Sequence, residues 1–138
     1  MGKRAYAESI YKDLKFCDLG DSESLENLLN RLKHIKDEED LDLKNLDSLT
    51  HIKVEELCAF NVHLGVRIML ERGLDAFTLF EILKNFKVVI CDEIGAGVVP
   101  IDRFERRWRD EAGLLYQALS REAVIVDRVW AGLAMRLK

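Results

Sequence analysis

The chain has a single proline, Pro100, and only three cysteines, Cys17, Cys58 and Cys91, in 138 residues. The cysteines are odd in number and widely spaced, with no Cys-x-x-Cys pair, and the N-terminus shows no signal-peptide pattern. That excludes a disulfide-stapled secreted scaffold and predicts reduced thiols in a cytoplasmic protein. No apolar run approaches the ~18 residues of a membrane helix, so no membrane span is expected. Excess positive charge is missing too: 21 Lys and Arg against 25 Asp and Glu leave −4 at pH 7. Broad nucleic-acid binding needs the opposite sign, so no nucleic acid is expected as a partner, although local basic clusters remain. Internal repeats and low-complexity tracts are absent as well.

What is present suits a globular fold: 49% hydrophobic and 33% charged residues. The length predicts one domain, 1–138, with a real core. Ala5, Ala7, Ile10, Tyr11 and Leu14 put an apolar face on a helix over 3–14. Phe16 to Leu19 is a short extended piece. Asp21 or Ser22 caps a helix over 23–36 whose stripe is Leu25, Leu28, Leu29 and Leu32. Residues 37–50 carry an acidic run, read as a solvated connection rather than a metal site. A helix is expected over 53–72 with Gly73 as its C′ residue. Asp75 then caps a helix over 76–85. Phe86 to Cys91 is apolar on both faces, as a buried parallel strand is. Asp102 caps a long helix over 102–121, and Val124 to Ala131 form a last strand, with a short extension over 133–138. Helices alternating with buried strands give an α/β domain.

The densest chemistry follows the 86–91 strand. Asp92 and Glu93 end it, Gly95-Ala96-Gly97 and Pro100 form a loop, and Arg106-Arg107-Trp108-Arg109-Asp110 open a cationic helix. Open α/β sheets bind ligands at the carboxyl ends of their strands. Glycines let backbone N–H groups approach a ligand, although an ordinary strand-to-helix turn has the same spacing. Glu93 can hold Mg²⁺ or take a proton; it can equally be a cap or ion-pair partner. Arg106 and Arg109 share a helix face and can fork onto phosphate oxygens, or simply pair with carboxylates at the surface. Trp108 is expected in the core, and Cys91 as a buried, inert thiol. His63 is read as a partly buried helical histidine, His34 as solvated between Lys33 and Lys36, and His51 carries no signal.

Three blocks occur in order: Glu93-Ile94-Gly95-x-Gly97-x-Val99-Pro100, then Arg106-x-x-Arg109-Asp110-x-x-Gly113-x-x-x-Gln117, then Ala131-Gly132-x-x-x-x-Leu137-Lys138. Together they resemble the adenosylcobinamide kinase / adenosylcobinamide-phosphate guanylyltransferase family. At the other end, Gly2-Lys3-Arg4-Ala5-Tyr6-Ala7-Glu8 is similar to the close of that family's P-loop and the helix after it. Backbone N–H groups of such a loop cradle phosphates and its Lys reaches the β/γ-phosphates. The resemblance implies a P-loop NTPase-like (RecA-like) fold, a mostly parallel sheet flanked by helices, with the first strand and most of the P-loop missing here. It implies phosphorylation of adenosylcobinamide by GTP or ATP with Mg²⁺, followed in the family by guanylyl transfer, in a homo-oligomer. The alternative is a non-catalytic remnant that binds nucleotide or corrinoid.

By the same resemblance, Lys3 and Glu93 serve catalysis. Gly2, Lys3, Glu93, Gly95, Gly97, Arg106, Arg109 and Asp110 contact the nucleotide, with Asp110 orienting an arginine. Beyond the missing strand and loop front, the chain departs from the family at five points, one of them Ala59-Phe60-Asn61 in place of the strand-end acidic segment before the third helix. Arg4 replaces the Mg²⁺-binding Ser/Thr, and Asp92 and Tyr116 each stand where Asn is usual. The family's Arg-Ile-x-x-His guanylyl acceptor has its nearest counterpart in Arg31-Leu32-Lys33-His34, one residue short, which makes His34 a weak candidate. The shortened cradle predicts little or no kinase turnover by this polypeptide.

Overall fold

The computed structural model of the chain describes residues 2–37 and 56–138, with side chains over 2–31 and 56–138. The elements run α1 (Lys3–Ile10), β1 (Lys15–Asp18), α2 (Ser22–Asp37), β2 (Leu57–Phe60), α3 (Val62–Glu71) and α4 (Thr78–Leu83). β3 (Val88–Val89), α5 (Arg103–Glu122), β4 (Asp127–Trp130) and β5 (Leu133–Arg136) follow. Most of the acidic connection, at 38–50, lies outside the described residues, as do His51 and the side chain of His34.

Among the described residues, three parallel strands in the order β1-β2-β3 form the sheet. Lys15 pairs with Leu57 through to Asp18 with Phe60, and Cys58 and Ala59 pair with Val88 and Val89. The pairing extends past the strand ends, with Leu19 N–H donating to the Phe60 carbonyl at 3.1 Å and Ile90 N–H to Ala59 at 2.8 Å. Alternation gives the sheet two faces. Phe16, Cys58 and Phe60 look towards α1, where the Arg4 guanidinium lies 4.2 Å from the Phe16 ring and 5.2 Å from Phe60. Ala59 looks the other way, into a core with Leu25, Leu28, Val62, Val66, Met69, Leu79, Leu83, Ala112 and Leu115. Helices α2, α3, α4 and α5 cover that face, α3 packing on both α2 and α5. Gly65 lets α3 close on β1: a Cβ there would stand 3.0 Å from Leu19 Cβ.

The second sheet is a two-stranded antiparallel ribbon, β4-β5, in which Asp127 pairs with Arg136 and Trp130 with Leu133. Ala131 and Gly132 turn it at φ 47° and 78°, the paired left-handed conformations of a tight hairpin. One ribbon face meets α1: the Tyr6 hydroxyl donates to Asp127 at 2.9 Å. The other face exposes Trp130, Leu133 and Met135.

The expected helix over 53–72 is corrected over its described residues: Leu57–Phe60 is the central strand β2, and α3 starts only at Val62; residues 53–55 lie outside the described residues. Leu57-Cys58-Ala59-Phe60 is apolar at every position, a pattern that fits a buried helix or a buried strand. Its two flanking partners decide the matter, and Asn61, left-handed at φ 55°, divides strand from helix. The first helix stops at Ile10, short of Leu14, because Tyr11 is extended and Asp13 left-handed. The strand over 86–91 narrows to Val88–Val89, and that over 124–131 to β4, with an antiparallel partner that the apolar pattern did not announce. Asp102 caps α5 as expected, accepting from Glu105 N–H at 2.9 Å. Gly73 ends α3 at φ 68°.

Candidate functional site at the carboxyl ends of the strands

Parallel strands deliver their following residues to one end of the sheet, and three polar side chains arrive there. Asp18, ending β1, accepts from Gly20 N–H at 2.8 Å and from the Asn61 amide at 2.9 Å. Those bonds fix the turns after β1 and β2. Asp92, beyond β3, meets two partners from other elements. One carboxylate oxygen takes a charge-assisted hydrogen bond from the Lys3 ammonium in the first turn of α1. The other lies 3.8 Å from His63 Nδ1, on α3.

Helix α5 holds this cluster from behind. The Trp108 indole N–H donates to the His63 carbonyl at 2.7 Å, and the Tyr116 hydroxyl donates to the Asp92 carbonyl at 3.1 Å. Trp108 is therefore half-buried and serves as a strut, packed against the core without being sealed in it. Burial first, and then Cys91 and Asp92, push the Tyr116 hydroxyl far above its ordinary range, so it stays a donor. Burial pushes the Cys91 thiol up to about 12 and Cys58 up to about 11, which makes both inert. His63 is lowered, mainly by burial; Asp92 opposes this and Lys3 adds to it. Its Nδ1 is buried without a hydrogen-bond partner among the described residues.

A cavity of about 170 Å³ opens here, lined by Lys3, Arg4, Phe60, Asn61, Ile90 and Asp92. Pockets for whole drug-sized ligands run ~300–1,000 Å³, so this one admits a small group rather than a whole large ligand.

The other expected site residues are placed as follows. Gly2 precedes α1 at φ 92°, against the ribbon turn: a Cβ there would stand 3.5 Å from Gly132 Cα. Glu93 is exposed and pairs with Arg128 at 3.4 Å. Gly95 and Gly97 lie in the loop after β3, Gly97 at φ 103°. Arg109 directs its guanidinium into that loop, donating to the carbonyls of Ile94, Ala96 and Val98 at 2.8, 2.9 and 2.8 Å. Arg106 donates to Pro100 and Ile101 at 3.1 and 2.7 Å. Both side chains are thus engaged with backbone, a different arrangement from an open phosphate fork. Asp110 is exposed, and among the described residues it makes no bond to either arginine. The structure therefore brings Lys3 to the strand ends beside Asp92 and gathers both arginines on the glycine loop.

The pairing of Lys3 with Asp92 and the approach of His63 were missed in the sequence. Their signal was faint: Lys3 stood out by its P-loop likeness and Asp92 as a departure from it, but 89 positions separate them.

Residues 21–137 match the family described as cobinamide kinase / cobinamide phosphate guanyltransferase. The chain is also similar to the bifunctional adenosylcobalamin biosynthesis protein CobP of Pseudomonas aeruginosa, at 43% identity over 51 residues. That stretch is 37% of this chain and 30% of the length of CobP. No helix among the described residues is long and apolar enough to cross a membrane. With the parallel sheet, the acidic strand end and the glycine loop in place, the match over 21–137 settles the affiliation: the chain belongs to the CobU family, that of cobinamide kinase / cobinamide phosphate guanyltransferase.

Proposed function

We propose that this chain acts in cobalamin biosynthesis, binding GTP or ATP at the start of α1 and transferring the terminal phosphoryl group to the aminopropanol hydroxyl of adenosylcobinamide. In that step the bond from the γ-phosphorus to the bridging oxygen breaks. A new bond forms to the substrate oxygen, whose proton passes to a carboxylate. The observation that carries the reading is the placement of Lys3. Its ammonium sits at the carboxyl ends of the strands, at the mouth of a small cavity, where charge neutralisation and positioning supply most of phosphoryl-transfer catalysis. Gly2 and Lys3 precede the matched span of 21–137; their role rests on the Gly-Lys pattern and on this geometry. Guanylyl transfer to the phosphorylated product is the second reaction in the family's description.

Glu93 is the carboxylate suited to the hydroxyl proton or to the Mg²⁺ that accompanies the nucleotide. Mg²⁺ is commonly held by one or two carboxylates plus substrate phosphates, and Glu93 is open to solvent, its partner among the described residues being Arg128 at the surface. The proposal includes a homo-oligomer in the cytoplasm.

One observation favours a second reading, a non-catalytic protein that keeps a nucleotide or corrinoid surface. Asp92 already neutralises Lys3, so a triphosphate must displace a carboxylate to reach the ammonium.

Thermal unfolding with and without GTP and Mg²⁺ tests the site. Binding to the folded chain alone raises Tm with ligand concentration. GTP is expected to raise Tm by several degrees at saturation, and Lys3→Met to lose that rise while keeping the unliganded Tm. A folded wild-type protein whose Tm ignores both GTP and ATP at millimolar concentration contradicts nucleotide binding at this site and leaves only a corrinoid surface.

A further inference from the structure

We infer that Arg109 and Arg106 are positioning residues that hold the loop after β3 as a preformed apolar contact for the corrinoid, with Val98 and Ile101 as its touching side chains. The inference rests on the cobinamide-kinase reading and names the subsite of its second substrate.

The loop is short of structure of its own. It has no strand or helix between Ile90 and Asp102, and a Cβ at Gly95 or Gly97 would meet nothing within 4 Å. Such a segment ordinarily frays. Here its carbonyls at Ile94, Ala96 and Val98 converge on Arg109, and those at Pro100 and Ile101 on Arg106. A guanidinium presents a rigid planar fork of donors, so one Arg109 side chain fixes three points of the loop.

The consequence lies on the outside. With these carbonyls turned inward, the loop presents aliphatic side chains: Val98 is 91% exposed, Val99 69% and Ile101 95%. Exposed apolar side chains gathered on one hydrogen-bonded loop mark a contact site, and ordering the loop in advance removes part of the cost of binding.

Two substrates must meet at this end of the sheet. The triphosphate is ionic and suits Lys3. An apolar loop offers it nothing, and the two nearby guanidiniums are already engaged. The corrinoid is a large macrocycle with apolar faces and an amide rim, and it matches aliphatic side chains. The loop also begins directly after Glu93, so a macrocycle resting on it would bring its side-chain hydroxyl towards that carboxylate.

The test is direct binding, by calorimetry, of cobinamide and separately of GTP with Mg²⁺. It uses the wild type, the double variant Val98→Ser/Ile101→Ser, Arg109→Lys and Arg109→Ala. The double variant alters only exposed side chains and keeps the fold, so it remains informative if the arginine variants unfold. The expected result is cobinamide binding weakened about tenfold or more in the double variant, with GTP affinity unchanged. Arg109→Lys should behave like Arg109→Ala, since a single ammonium cannot span three carbonyls. Equal cobinamide binding by wild type and double variant overturns the inference. So does a selective loss of GTP affinity in the Arg109 variants, which would make Arg109 a phosphate contact. Concentration-dependent self-association lost in the double variant, with cobinamide binding intact, assigns the loop to a second copy and also overturns it. A wild type that binds GTP but no cobinamide contradicts the parent reading instead.

Discussion

Lys3, Asp92 and His63 come from three separate elements and share one carboxylate. Lys3 and Asp92 are 30% and 41% exposed, so solvent screens their pair and it contributes little to stability. Its effect is placement: it holds the ammonium at the edge of the cavity. His63 is different. It is 16% exposed, its Nδ1 lacks a partner among the described residues, and burial is the main cause that lowers it. In the unfolded chain an imidazole titrates near 6.5. Below that pH the unfolded state binds more protons than the folded state, so stability falls as pH falls. The Tm of the wild type should be level near neutrality and decline below about pH 6.5, more steeply than that of His63→Gln. Superimposable Tm profiles for the two proteins across that range would show that His63 is not held neutral by the fold.

At the scale of elements, β2 and α5 do most to place the site. β2 is sealed between two parallel neighbours, with Cys58 and Ala59 both fully buried, and it carries Asn61 and His63 to their positions. α5 reaches the site through Arg106, Trp108 and Arg109 in one turn and Tyr116 about two turns on, and it is anchored in the core by Ala112 and Leu115. Leu115→Ala should therefore cost about 2–5 kcal/mol of stability, as deletion of a buried leucine side chain does, read as a lower denaturation midpoint at unchanged slope. A loss well below that range would mean that α5 is not seated in the core. The α5 boundaries were legible because an N-cap aspartate and a 3.6-residue stripe agree. β2 was not, because four apolar residues carry no period of their own and the pairing partners lie 42 and 30 positions away, as in Cys58 with Phe16 and with Val88.

At the scale of the whole molecule, α1 lies on one face of the sheet and α2, α3, α4 and α5 on the other, with the ribbon against the start of α1. The α/β class and a parallel strand before Asp92 were legible in the sequence from its apolar run, but the expectation that this strand is buried on both faces is corrected: Val88 and Val89 are half-buried, at the edge of the described sheet. The glycine loop was legible too, through its motif. The antiparallel ribbon and the Lys3–Asp92 contact were not: both depend on long-range closure, which local pattern does not encode. The roles of Arg106 and Arg109 were ambiguous for a related reason. A guanidinium binds a phosphate oxygen or a carbonyl with the same donors, and only the folded loop shows which oxygens are in reach.

The proposed reaction is phosphoryl transfer to a corrinoid. The most direct measurement follows labelled γ-phosphate from GTP to cobinamide with Mg²⁺, using the wild type and Lys3→Met. Slow, protein-dependent appearance of label on cobinamide, lost in Lys3→Met, is the predicted result. A folded wild type that binds GTP yet leaves cobinamide unlabelled at the rate of the protein-free control would contradict it, and the non-catalytic reading would take its place.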